Sequence, residues 1–108
     1  MRITKLIILS VLLSSMTPTT PTHNCTATWY DTSRHPKVHR DYSTAAFNHY
    51  SRGTKVLVTN VNNGKQDTVT ITDRHVLGFN HIDLSKVSFG KLANIKEGRI
   101  KVIVKKLI

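Results

Sequence analysis

Two aspartates, Asp73 and Asp83, stand near each other in the chain, each with a histidine two residues away, His75 and His81. A carboxyl group can give up a proton and later take one back, which suits general acid–base chemistry. To act as an acid it needs its pKa raised by burial or by a second carboxylate. Arg74, beside Asp73, opposes this unless its side chain points away. Read as plain structure, Asp73 is a turn or cap residue after a strand, and Asp83 is a helix N-cap. The chain has six histidines; only His35 and His39 stand at the His-x-x-x-His spacing of a helical metal site, and Pro36 between them interrupts a helix. Neither a metal nor a cofactor is expected.

The elements that must position these groups read as short β-runs separated by turn signals, which argues for an all-β barrel or sandwich. Thr26–Tyr30, Tyr42–Phe47, Thr54–Asn60, Gln66–Thr72 and Arg99–Lys105 are the expected strands. Val56 and Val58 face one way, Lys55 and Leu57 the other; Ile100, Val102 and Val104 alternate against Lys101, Ile103 and Lys105. Asn62-Asn-Gly64 is a hairpin turn, since these residues tolerate positive φ. One helix is expected over Ser85–Ile95, capped by Asp83 or Ser85. Gly98 then breaks the chain before the last strand.

The N-terminal segment sets the compartment. Arg2 and Lys5 precede an apolar run from Leu6 to Met16 that is too short to cross ~30 Å of hydrocarbon. Residues 1–16 therefore read as a secretory signal, and no transmembrane span is expected. Residues 17–25, with Pro18 and Pro21, read as a flexible linker, and residues 26–108 as one domain. Cys25 is the only cysteine, so no disulfide forms within the chain. The residues before it, Thr22-His-Asn24, match a lipoprotein cleavage site poorly, so lipid anchoring there is not expected. Net charge is +10 for the whole chain. For an exported protein the anionic partners are wall polymers, phospholipid head groups or acidic glycans, not nucleic acid.

Four motifs occur in order: Ala27-Thr-Trp-Tyr30, Thr44-Ala-Ala46, Gly53-Thr-Lys-Val-Leu-Val-Thr-Asn60, and Thr72-Asp-Arg74 followed by Ile82-Asp-Leu-Ser85. Together they resemble the RlpA-like family of exported bacterial proteins acting on peptidoglycan. The resemblance implies a mainly β fold, a six-stranded double-psi β-barrel with one short helix. It implies a monomeric lytic transglycosylase of the periplasm or envelope, in which the sugar's own hydroxyl attacks and an anhydro product forms without water. Asp73 matches the catalytic aspartate and ends a strand at the mouth of a groove. Arg74, His75, His81 and Asp83 flank that groove. Trp29 and Tyr30 are candidate platforms for sugar rings, although alternate strand residues face opposite ways and one of them belongs to the core.

The chain also departs from the family. Phe47 stands where members carry an active-site histidine, with His49 two residues on as a substitute. The stretch His35–Arg40 lacks the usual glutamate. Asp73-Arg-His-Val76 replaces Asp-Arg-Gly-Pro. These departures raise an alternative, a non-catalytic expansin- or barwin-like barrel that binds glycans.

Overall fold

Alternation along the strands predicts which residues enter the core, and the computed structural model follows it. The structure describes residues 20–33 and 35–107. The export segment over residues 1–16 and the first residues of the linker lie outside the described residues.

In chain order the elements are β1 (Thr22–Tyr30), α1 (Lys37–Asp41), β2 (Thr44–Phe47), β3 (Lys55–Asn60), β4 (Gln66–Asp73), β5 (His81–Ser85), α2 (Lys86–Leu92), a 3₁₀ turn (Ile95–Glu97) and β6 (Arg99–Lys106). The six strands close into a barrel in the order β1-β5-β2-β4-β3-β6. β1 pairs with β5 and β2 with β4 in parallel, and the other ladders are antiparallel. Closure leaves no strand edge open. Inside lie Ala27, Phe47, Val56, Val58, Val69, Ile71, Ile82, Leu84, Val102 and Val104, with Phe89 and Leu92 of α2 completing the core.

Several boundaries differ from expectation. β1 begins at Thr22 rather than Thr26, because β6 continues to Lys106 and supplies partners from Thr22↔Lys105 to Thr28↔Arg99. The polar Thr22-His-Asn24 has no strand-like alternation of its own; pairing makes it a strand. The linker is correspondingly shorter than residues 17–25. Cys25 faces inward, 6% exposed, and burial pushes its thiol up to about 11.

Asp83 is not a cap. It sits inside β5, a strand whose five residues carry too little pattern to be told from a helix start. Ser85 caps α2 instead, accepting from the Ser88 amide. Fully buried, the Ser85 hydroxyl also donates to the Tyr42 carbonyl at 3.0 Å and accepts from the Thr44 amide at 3.2 Å. The helix ends at Leu92, three residues early, where Ala93 turns extended. The Leu92 carbonyl is taken up by the side-chain amides of Asn60 and Asn63 at 3.0 and 2.9 Å. α1 was not expected; its five residues, four of them polar, include a Lys37–Asp41 pair at 3.7 Å.

Candidate active site

The central rung of the barrel mouth is Ala46. It pairs with Asp83 of β5 on one side and Asp73 of β4 on the other. With strands spaced ~4.8 Å apart, the two aspartate backbones lie roughly 10 Å apart across one alanine. A bulge makes this possible. β4 slips between Ala45 and Ala46, so that Ala45 faces Ile71 and Ala46 faces Asp73. The extra residue, Thr72, re-aims Asp73 toward the mouth, a usual role for bulges beside functional sites. Thr72 in turn donates to the Ala45 carbonyl at 3.4 Å.

The resulting cleft, about 270 Å³, is lined by Tyr30, His35, Ala46, Thr72, Asp73, Arg74, His75 and Asp83. Most of the expected site residues thus converge. His35, Ala46 and Thr72 were not anticipated as lining, and His81, expected to flank the groove, is not among the lining residues.

The two carboxylates have unlike surroundings. Asp73 is exposed; its Oδ1 accepts from the Arg74 amide at 2.8 Å and pairs with Arg52 at 3.4 Å. Asp83 is half-buried, and its Oδ1 accepts from the Thr28 hydroxyl at 3.0 Å. That hydroxyl has one proton, already donated to Asp83. The 2.7 Å contact between Thr28 Oγ1 and His81 Nε2 therefore needs the proton on the ring nitrogen. Burial lowers the pKa of His81, the nearby His75 and Arg99 lower it further, and Asp83 opposes them. A neutral His81 thus donates to Thr28, which donates to Asp83.

His75 is also set by its partners. Its Nδ1 accepts from the Leu77 amide at 3.0 Å, so Nε2 carries the hydrogen and donates to the His81 carbonyl at 2.8 Å. Asn48 fastens the same loop, accepting from the His75 amide and donating to the His75 and Gly78 carbonyls. Sequence reading missed Thr28, Asn48 and Arg52, since each acts through a partner far along the chain. The Tyr30 phenol, 3.2 Å from Thr44 Oγ1, has its pKa raised by burial, and by Asp83 and Asp73, against the lowering by Thr44.

Trp29 and His49 lie elsewhere. Trp29 follows Cys25 and Ala27 on the inward side of β1 and packs against the core. Its ring nitrogen donates to the Ile95 carbonyl at 2.9 Å, and the Lys86 ammonium lies 5.5 Å from its ring. β2 ends at Phe47, so His49 does not continue its face. It stacks on His23 at 3.9 Å and meets Phe79 at 5.0 Å, outside the cleft. Among the described residues no three His, Cys, Asp or Glu side chains are grouped as metal ligands would be.

Comparison with known proteins agrees with this fold. The fold is similar to an expansin of Clavibacter michiganensis, with a TM-score of 0.69 and 24% identity, over 82% of this chain and 51% of that one. A mutant of that expansin in complex with cellohexaose gives 0.67 and 22% over the same shares. The Streptomyces papain inhibitor gives 0.66 and 21%, over 82% of this chain and 96% of the inhibitor. An uncharacterised protein of Synechocystis is 42% identical over 55 residues, 51% of this chain and 58% of that protein. The chain thus spans little more than half the length of that relative, and about half that of the expansin. The sequence model of a family described as lytic transglycolase matches residues 22–104, from the first residue of β1 to within two of the end of β6. The chain belongs to the lytic transglycolase family of double-psi β-barrels.

Proposed function

We propose that the protein is an exported lytic transglycosylase that cleaves cell-wall glycan strands in the cleft over Ala46. The placement of Asp73 and Asp83 on either side of that alanine carries the reading. A saccharide lying across the mouth meets a carboxylate on each flank, with only a methyl group beneath it. Tyr30 and His35, whose rings meet edge to face at 5.2 Å, form one wall for the sugar.

Of the two carboxylates, Asp83 is the better placed to move a proton. It is partly shielded from water, whereas Asp73 is exposed and ion-paired with Arg52. The Asp83 carboxyl gives its proton to the glycosidic oxygen as the C–O bond breaks. The sugar's own hydroxyl then forms the new C–O bond and returns its proton to the carboxylate, so no water is consumed. Asp73, Arg52 and Arg74 orient the saccharide. The sequence motif alone favours Asp73 as the acid; the surroundings of the two groups favour exchanging their roles.

A second reading is glycan binding without cleavage. Its support is the pairing of Asp73 with Arg52 and the likeness to an expansin, a mutant of which was solved with cellohexaose. Mass spectrometry of purified glycan strands incubated with the protein separates the two. Anhydro-ended products that disappear in Asp83→Asn are expected. Binding with no product from the unaltered protein would leave only the second reading.

Export rests on the basic and apolar pattern of residues 1–16, and release without a lipid on the inward position of Cys25 in β1. Cleavage before Cys25 would remove three residues that β1 pairs with β6. The intact mass of the secreted chain checks both.

A further inference from the structure

Strand β6 alternates strictly. Ile100, Val102 and Val104 fill the barrel, which leaves Arg99, Lys101, Ile103 and Lys105 in a row outside. Register extends this row sideways. Lys101 lies opposite Thr26; Ile103 lies between Asn24 and Thr59; Lys105 lies between Thr22 and Leu57. Lys55, two residues before Leu57, shares the same face of β3. Arg99, Lys101, Lys105 and Lys55 are exposed, and none of them is ion-paired with a described residue. Glu97 borders the Arg99 end. Two depressions, of about 360 and 430 Å³, adjoin the row, and Thr26 and Lys101 line both.

Cations held along a strand without counter-charges repel one another, and a bound polyanion relieves that repulsion. Outward positions on a strand recur every ~6.7 Å, so the row from Arg99 to Lys105 is about 20 Å long. From ordinary bond lengths, an extended three-carbon polyol phosphodiester repeats its charge at about 7 Å. Phosphates in that spacing meet Arg99, Lys101 and Lys105, and the one that passes Ile103 runs between Asn24 and Thr59. Thr22, Asn24, Thr26 and Thr59 present hydroxyl and amide groups to the same chain. Beside the cations, the outward positions Thr22, Asn24 and Thr26 of β1 and the outward rows of β3 and β6 carry no aromatic side chain, and Tyr30, at the far end of the β1 row, lines the cleft, so nucleobases find no stacking platform along the track. Ile103 and Leu57 are half-buried and offer nothing to insert into a bilayer.

We propose that the outward face of β6, with its flanking rows on β1 and β3, is a docking track for a linear polyol-phosphate polymer, distinct from the cleft. The track refines the expected attraction to anionic wall polymer by placing it on one face. It does not depend on whether the cleft cleaves glycan.

The test is fluorescence anisotropy of labelled poly(glycerol phosphate) titrated with the purified protein at several salt concentrations. Binding is expected to weaken with salt, with a log–log slope of about −2 to −3 for three or four phosphate contacts. Lys101→Gln with Lys105→Gln is expected to weaken binding about tenfold or more and to flatten the slope by about 1. A control triple variant, Lys37→Gln, Lys86→Gln and Lys91→Gln, removes more charge but from the helices, and is expected to stay within about twofold. Equal losses in both variants would reduce the effect to net charge and overturn the track. Absence of binding, or tighter binding of oligothymidylate or of phosphatidylglycerol vesicles through the same lysines, overturns it as well. Melting temperatures show whether the variants remain folded. Binding of an uncharged N-acetylglucosamine oligosaccharide is expected to be unchanged by Lys101→Gln with Lys105→Gln, which keeps the fate of the cleft reading separate.

Discussion

Asp83, Thr28 and His81 form a chain of hydrogen bonds in which each donor has one acceptor, and this chain distinguishes the two carboxylates chemically. Losing a positioned proton carrier costs about 10²- to 10⁴-fold in rate. Asp83→Asn is expected to lower the yield of anhydro products by that order while glycan binding persists. Asp73→Asn is expected to weaken binding more than turnover, read as KM against kcat. A result with the two reversed would return the acid role to Asp73. The floor offers an independent check. Nothing larger than a methyl group lies between the carboxylates, so Ala46→Leu is expected to abolish glycan binding with little change in melting temperature. The histidines and aspartates of this site were legible in the sequence because their types are rare and closely spaced. Thr28 was not: its role comes from the parallel register of β1 and β5, which sets it opposite Asp83 from 55 residues away. His81 also makes the fold sensitive to pH. Its pKa is lowered from 6.5 in the folded protein, as is that of His23, by burial and by the adjacent His49. The unfolded chain therefore binds these protons first as pH falls. Stability is expected to be full above pH 6.5 and to decline below it. Thermal melts at neutral and mildly acidic pH measure this, and His81→Asn is expected to reduce the difference.

Elements were legible where pattern and partner agree. β3, β4 and β6 each present alternating apolar residues, and the structure has them within a residue of expectation. β5 was hidden, because Ile82 and Leu84 alternate over too few residues to signal a strand by themselves. Its existence depends on β1 and β2, which pair with it on either side. The first residues of β1 were hidden for the same reason. Ser85 joins these elements, since its one hydroxyl serves the start of α2, the amide of Thr44 in β2 and the carbonyl of Tyr42. Ser85→Ala leaves the buried Thr44 amide and the Tyr42 carbonyl without this partner. A cost of about 2–3 kcal/mol is expected from unsatisfied buried groups. Urea unfolding should show a lower midpoint at an unchanged slope. A midpoint equal to the wild type would mean that water takes the place of the hydroxyl.

The barrel closes through its ends. β6 is the last strand in the chain, yet it lies between β1, the first, and β3. It also contributes Ile100, Val102 and Val104 to the core. Without it, β1 and β3 would each present an unpaired edge, and the inward faces of Ala27, Val56 and Val58 would meet water. A chain ending before Arg99 is therefore expected to lose cooperative unfolding and to associate through those edges. The physics also sets the rate of folding. Loop closure across nearly the whole domain precedes the contacts that reward it, so barrels held by non-local pairing fold in about milliseconds to seconds. Stopped-flow refolding of the intact protein is expected in that range. Mutations at the β1–β6 seam that shorten one side chain, such as Val102→Ala, should slow it if closure occurs in the transition state. If Val102→Ala instead speeds unfolding alone, the seam forms last, after β2–β5 have assembled. In that case the N-terminal residues of β1, which owe their strand to β6, would be the first to open in the folded protein. Hydrogen exchange would then be faster at His23 and Cys25, whose amides face β6, than at Val56 and Val58.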